Sequence, residues 1–258
     1  MSIIYASRDG GLKQFNGEAV TTYKLQAALN RANPGDIVEL LPGRYQQPAT
    51  VTDSGKRGAP ITIRGQADGS TVLDGCQDRE SALSDFDPMD DDFAFLKLYS
   101  ADWLILEDLV FENCWPSAVF IRGCKDILIR DCHITGSRFA VYARNRLALR
   151  KCRRLTLDGL TWVQDPDRDM WEGRTTWEDV KQEAPTKKDA RYFNGALFGS
   201  YDLKGPVVIR NCDVSHAFNA VRLDARNNNA LRGRNRDILI ENNRFSFIRD
   251  NGVEPEKT

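Results

Sequence analysis

The chain has 258 residues, 36 of them Lys or Arg and 37 Asp or Glu, for a formal net charge of -1. That length is ample for a buried core in one large domain, and the charge balance argues against wholesale nucleic-acid binding while leaving room for a local charged groove. Six cysteines without a CxxC pair do not make a disulfide scaffold, and two histidines, His133 and His216, are too few for the usual zinc sites.

The opening MSIIYASRDGG has no basic n-region followed by a long apolar run, and no stretch reaches transmembrane length, so no membrane partner is expected. The localisation is left open between cytoplasmic and secreted. Residues 21–36, TTYKLQAALNRANPGD, place Leu25, Ala28 and Leu29 at helical spacing and stop at Pro34-Gly35, which predicts a short amphipathic capping helix. DIVELLPGRY, APITIRG and STVLDG then read as early coils of a solenoid.

Five later segments share one pattern: WLILEDLVF, DILIRDCHI, RLTLDGLTW, PVVIRNCDV and DILIENNRF, with starts 23, 28, 52 and 31 residues apart. Each is a short apolar run, a polar corner and a second apolar pair, and a perimeter in the twenties is that of a β-solenoid coil. Leu104, Ile127, Leu155, Val207 and Ile238 share one inward position, and Cys132 and Cys212 read as interior spacers. Cys124 and Cys152 share a corner.

Another strand precedes each repeat: FLKLY, AVFIR, AVYAR, ALFGS, AVRLD and GVEPE. Taking Leu96/Leu98, Val119/Ile121, Val141/Ala143, Leu197/Gly199, Val221/Leu223 and Val253/Pro255 as inward pairs leaves two outward ladders. The first is Lys97, Phe120, Tyr142, Phe198, Arg222 and Glu254; the second is Tyr99, Arg122, Arg144, Ser200, Asp224 and Glu256.

Two features break the rhythm. Residues 163–193 form a long inserted loop rich in charges and aromatics, expected to act as a wall or lid. The last coil, with Phe245, Phe247 and Val253, is incomplete, so the expectation is a longer natural protein or a covering subunit. An outward apolar row on the repeat strands, Ile105, Leu128, Thr156, Val208 and Leu239, keeps a homo-oligomer open as well.

The IYASRDGG opening, the LQAALNRANPGDIVELLPGRY segment, APITIRG and the ILIRDC- and ILIENN-type coils resemble the right-handed parallel β-helix proteins of the pectate-lyase-like superfamily. The N-terminal part looks most like the alginate lyase and chondroitinase B group. The resemblance implies an all-β, right-handed parallel β-helix over residues 1–258, and a calcium-assisted β-elimination in which acidic side chains bind the cation and a Lys with an Arg nearby handles the proton. Glu254 and Glu256 look similar to the metal-binding carboxylates of that group; no equally good match for the Lys-and-Arg pair is found.

The residues themselves give a compatible reading. Tyr99, Phe120, Tyr142 and Phe198 offer rings, and Arg122 and Arg144 offer cations, to an anionic polysaccharide. Asp224, Glu254 and Glu256, with Asp250 at the preceding corner, can supply oxygens to Ca2+, pair with Arg222 and Arg249, or face solvent. For proton transfer the candidates are Arg222, Lys97 and His216: Arg222, beside Asp224, is the best-placed charge on the carboxylate but a poor base, so Lys97 and His216 are considered for that role, with Lys204 and Tyr142. Hydrolysis by paired carboxylates, Asp224 with Glu254 or Glu256, and a non-catalytic carbohydrate-binding solenoid are the competing readings.

Overall fold

A computed structural model describes residues 1–77, 94–145, 150, 152–165, 171, 194–224 and 235–255. Its strands lie in three sheets of ten, seven and seven strands, and each sheet takes one strand from each successive coil. Sheet 1 carries the repeat runs such as Asp102–Glu107 and Lys125–Arg130, sheet 2 the short strands after the corner such as Val110–Cys114, and sheet 3 strands such as Ser117–Arg122. All neighbouring coils pair in parallel, so the chain is a right-handed parallel β-helix, as expected.

The corner between sheets 1 and 2 explains the polar residue in every repeat. Asp108, Asp131, Gly159, Asn211 and Asn242 all have φ between 50° and 69°. Gly, Asn and Asp tolerate this left-handed conformation best, so one residue turns the chain between sheets. The interior is a continuous column in which Leu104, Ile127, Leu155 and Val207 stack from coil to coil.

At the N-terminal end the helix is only Leu25–Leu29, with Leu25, Ala28 and Leu29 buried against the first coil. Residues ahead of it form a strand instead, Glu18–Tyr23, which pairs antiparallel with Gly11–Phe15. β-branched Val20, Thr21 and Thr22 favour the pleated strand, and the Thr22 hydroxyl donates to the Gly11 carbonyl at 2.8 Å. The cysteines behave as spacers: Cys114, Cys124, Cys132, Cys152 and Cys212 are buried. Cys124 and Cys152 sit one above the other, the Cys124 N–H donating to Cys152 Sγ at 3.4 Å. Most of the 163–193 insertion lies outside the described residues, although Trp171 is fully buried and its carbonyl accepts from Arg249.

Candidate functional site

The outer surface of sheet 3 gathers most of the predicted side chains. Register aligns Lys97 with Phe120, Phe120 with Tyr142, Tyr142 with Gly199, Gly199 with Arg222 and Arg222 with Glu254. The second ladder aligns Tyr99 with Arg122, Arg144 with Tyr201, and Tyr201 with Asp224. Rungs in such a stack are about 4.8 Å apart.

One sequence-based placement is overturned. Phe198 pairs with Val141 and Val221, faces the core and is fully buried, so it cannot stack on a ligand at this face. Gly199 takes its outward place, and Tyr201 replaces Ser200, which is also buried. Leu197 is buried as well, so both alternation phases of ALFGS look apolar, and the preceding insertion removes the neighbour that would have fixed the phase.

The aromatic side chains form one array. Tyr99 meets Phe120 edge-on at 6.0 Å, Phe120 meets Tyr142 at 6.0 Å, and Tyr142 stacks on Phe139 at 4.5 Å with planes 8° apart. Arg122 lies 5.5 Å from the Tyr99 ring and 5.2 Å from the Phe120 ring, while Arg138 covers Phe139 at 4.9 Å. Phe120 is fully buried within this array, so, contrary to expectation, it backs its neighbours and offers no face to a ligand; Tyr99, Arg122, Tyr142 and Arg144 are half-buried. Such a surface can set planar guanidinium groups against carboxylates and aromatic faces against apolar ring faces.

The C-terminal rungs carry a different chemistry. Glu254 forms an ion pair with Arg222 Nε at 3.2 Å and accepts from Asn219 Nδ2 at 2.8 Å. Asn219 is wholly buried and its own carbonyl oxygen accepts the Asn251 N–H at 3.0 Å, fixing the corner ahead of the last strand. Asp224 stands on the other ladder, and Asp250 is exposed at the corner, where its N–H donates to the Phe218 carbonyl at 2.9 Å. Glu256 lies outside the described residues. Among the described residues no three His, Cys, Asp or Glu side chains gather as a metal-binding group, and Glu254 is already engaged by a cation.

The three proton-transfer candidates do not meet. Lys97 and Arg222 are four rungs apart on one ladder, about 19 Å at that rung spacing. His216 lies on sheet 2 in a left-handed conformation, 5% exposed, its ring stacked 4.6 Å from Phe247. Arg122 stands one rung along and two residues on from Lys97, so a Lys and an Arg occupy adjacent rungs at the opposite end of the face from the carboxylates. The ladder pattern is legible in the sequence, and the register places Lys97 and Arg122 on the successive rungs it implies.

No protein-family model matches the chain, and none of the curated proteins matches its sequence. Solved structures match in fold. Pectate lyase Pel9A does so with a TM-score of 0.58 at 16% identity, over 86% of this chain and 52% of that one. A PL6-family polysaccharide lyase from Pseudopedobacter saltans gives 0.55 at 13% identity, over 94% and 46%. A GH136 lacto-N-biosidase from Eubacterium ramulus gives 0.54 at 14%, over 86% and 43%. The chain thus spans about half the length of these structures. The likeness to these structures is one of fold, that of the three-sheet, right-handed parallel β-helix described above.

Proposed function

We propose that the outer face of sheet 3 binds an anionic, uronate-containing polysaccharide and that the protein cleaves it by β-elimination. The observation that carries this reading is the row of half-buried tyrosines and arginines along successive rungs, with Lys97 beside Arg122. In the proposed step a base takes the proton from the carbon next to the uronate carboxylate. The glycosidic oxygen leaves from the neighbouring carbon with the C–O bonding pair and takes a proton from water, and a double bond forms between the two carbons. A cation against the carboxylate makes that proton acidic. Arg122 is suited to the carboxylate through its planar, permanently charged group. Lys97 is assigned as the base. The ion-paired Arg222 and Glu254 are assigned to binding and shaping the far end of the groove.

The test is ultraviolet detection of unsaturated uronate products from alginate, pectate and glycosaminoglycans, with calcium and then with chelator. Unsaturated products are expected, and their loss on chelation would add calcium to the mechanism. New reducing ends without unsaturation would replace the lyase by a hydrolase. Binding without turnover would leave a carbohydrate-binding solenoid.

A further inference from the structure

Gly199 is the one glycine on the outward ladder between Lys97 and Glu254. It does not have the positive φ that would call for glycine on conformational grounds, so the reason for its small size lies in the space above it. A Cβ placed there would come within 2.5 Å of Phe139 Cε1 and 3.0 Å of Tyr142 Cδ2. Contacts that short force one or both rings to move. The missing side chain is therefore what lets the Tyr142–Phe139 pair lie over the neighbouring coil, with the two planes nearly parallel.

We propose that Gly199 is a positioning residue that sets the attitude of the Tyr142 ring, and thereby its ability to stack on a sugar of the bound polysaccharide. Phe139 lies nearer still to Gly199, stacks on the Tyr142 ring and is itself covered by Arg138, so a side chain at 199 would act on Tyr142 directly and through Phe139. Tyr142 is the last ring of the aromatic row on this ladder, with Phe120 and Tyr99 on one side and Arg222 beyond Gly199 on the other. A tilt of this ring would disturb the row at the end that faces the Arg222 rung. This inference rests on the reading of the face as a polysaccharide site.

The experiment is a double-mutant cycle of Gly199→Ala and Tyr142→Ala, with Phe139→Leu as a variant that unseats Tyr142 without touching the Gly199 backbone. Affinity for polygalacturonate and for alginate is measured by calorimetry, and thermal unfolding is followed on the same proteins. Gly199→Ala is expected to weaken binding about tenfold, the scale of one good aromatic contact, and to add nothing in the Tyr142→Ala background. Phe139→Leu should weaken binding in the same direction. Full affinity in Gly199→Ala, or an equal loss in both backgrounds, would overturn the positioning role. If the unmutated protein holds neither polymer, the reading of the face fails. The positioning role is then decided by the unfolding cycle: a smaller loss from Gly199→Ala in the Tyr142→Ala background supports it, and strictly additive losses overturn it.

Discussion

Arg122 and Lys97 differ in what each can lose. Arg122 offers a fork of donors with a fixed charge, so Arg122→Ala should remove a charge-assisted contact worth about 1.5–3 kcal/mol and weaken polysaccharide binding at least tenfold. Lys97→Ala should leave affinity within about threefold and abolish product formation, because proton transfer contributes to the transition state more than to the bound complex. Affinity and initial rate measured on the same preparations separate the two. Retained turnover in Lys97→Ala would remove it as the base. The cysteines give a simpler contrast. Burial pushes the thiols of Cys132, Cys152 and Cys212 up, to about 12, 11 and 11, and raises those of Cys114 and Cys124 further. Cys76 alone is exposed, although burial of its sulfur and the nearby Asp74 charge raise its pKa too. A thiol reagent at neutral pH should therefore find one reactive group slowly in the native protein and six after unfolding. More than one in the native state would contradict the packed column.

Among the elements, the cap is held by one acid. Asp36 follows the Pro34-Gly35 turn and accepts the Ser2 N–H at 2.7 Å and the Asn33 N–H at 3.1 Å, tying the first strand to the helix end. The Ser2 hydrogen bond, more than any other contact, holds its carboxyl below the ordinary 3.8. The folded state thus binds this proton less readily than the unfolded chain. The stabilisation is complete above that value and lost as pH falls through the lowered folded pKa. Asp36→Asn should cost about 1–2 kcal/mol at neutral pH and flatten the acid limb of a thermal-unfolding series. Sheet 1 shows a second device, a ladder that alternates Glu39, Arg64, Glu107, Arg130, Asp158, Arg210 and Glu241. Each rung between Arg64 and Arg210 faces opposite charge above and below, which also favours in-register stacking. The elements were legible where inward and outward residues differ in kind, as in Leu96-Lys97-Leu98-Tyr99. They were misread where both phases are apolar or small, as in Leu197-Phe198-Gly199, and the Thr21-Thr22 strand was taken for the start of the helix. The Arg222–Glu254–Asn219 linkage joins residues up to 35 positions apart, and no local pattern announces such a pairing.

Across the whole molecule, stability in a solenoid is close to a sum of coil and nearest-neighbour contributions, so position along the stack decides what a substitution costs. The inward isoleucines of sheet 1 offer a matched series. Ile129 and Ile209 are buried with coils on both sides, whereas Ile240, one rung beyond Ile209 on the same sheet, is only partly buried in the last described coil. Removing the side chain leaves a cavity in the first two cases and a partly solvated edge in the third. Ile129→Ala should therefore cost about 3–4 kcal/mol, and Ile240→Ala about 1–2 kcal/mol, in reversible denaturant unfolding. Amide exchange should follow the same order, fastest in the strands Ile238–Glu241 and Arg244–Ile248. Equal costs at Ile129 and Ile240 would contradict the gradient. They would mean that in solution the last coil is covered as fully as the middle ones, by further polypeptide or by a second copy, and concentration dependence of the unfolding midpoint would then tell these apart.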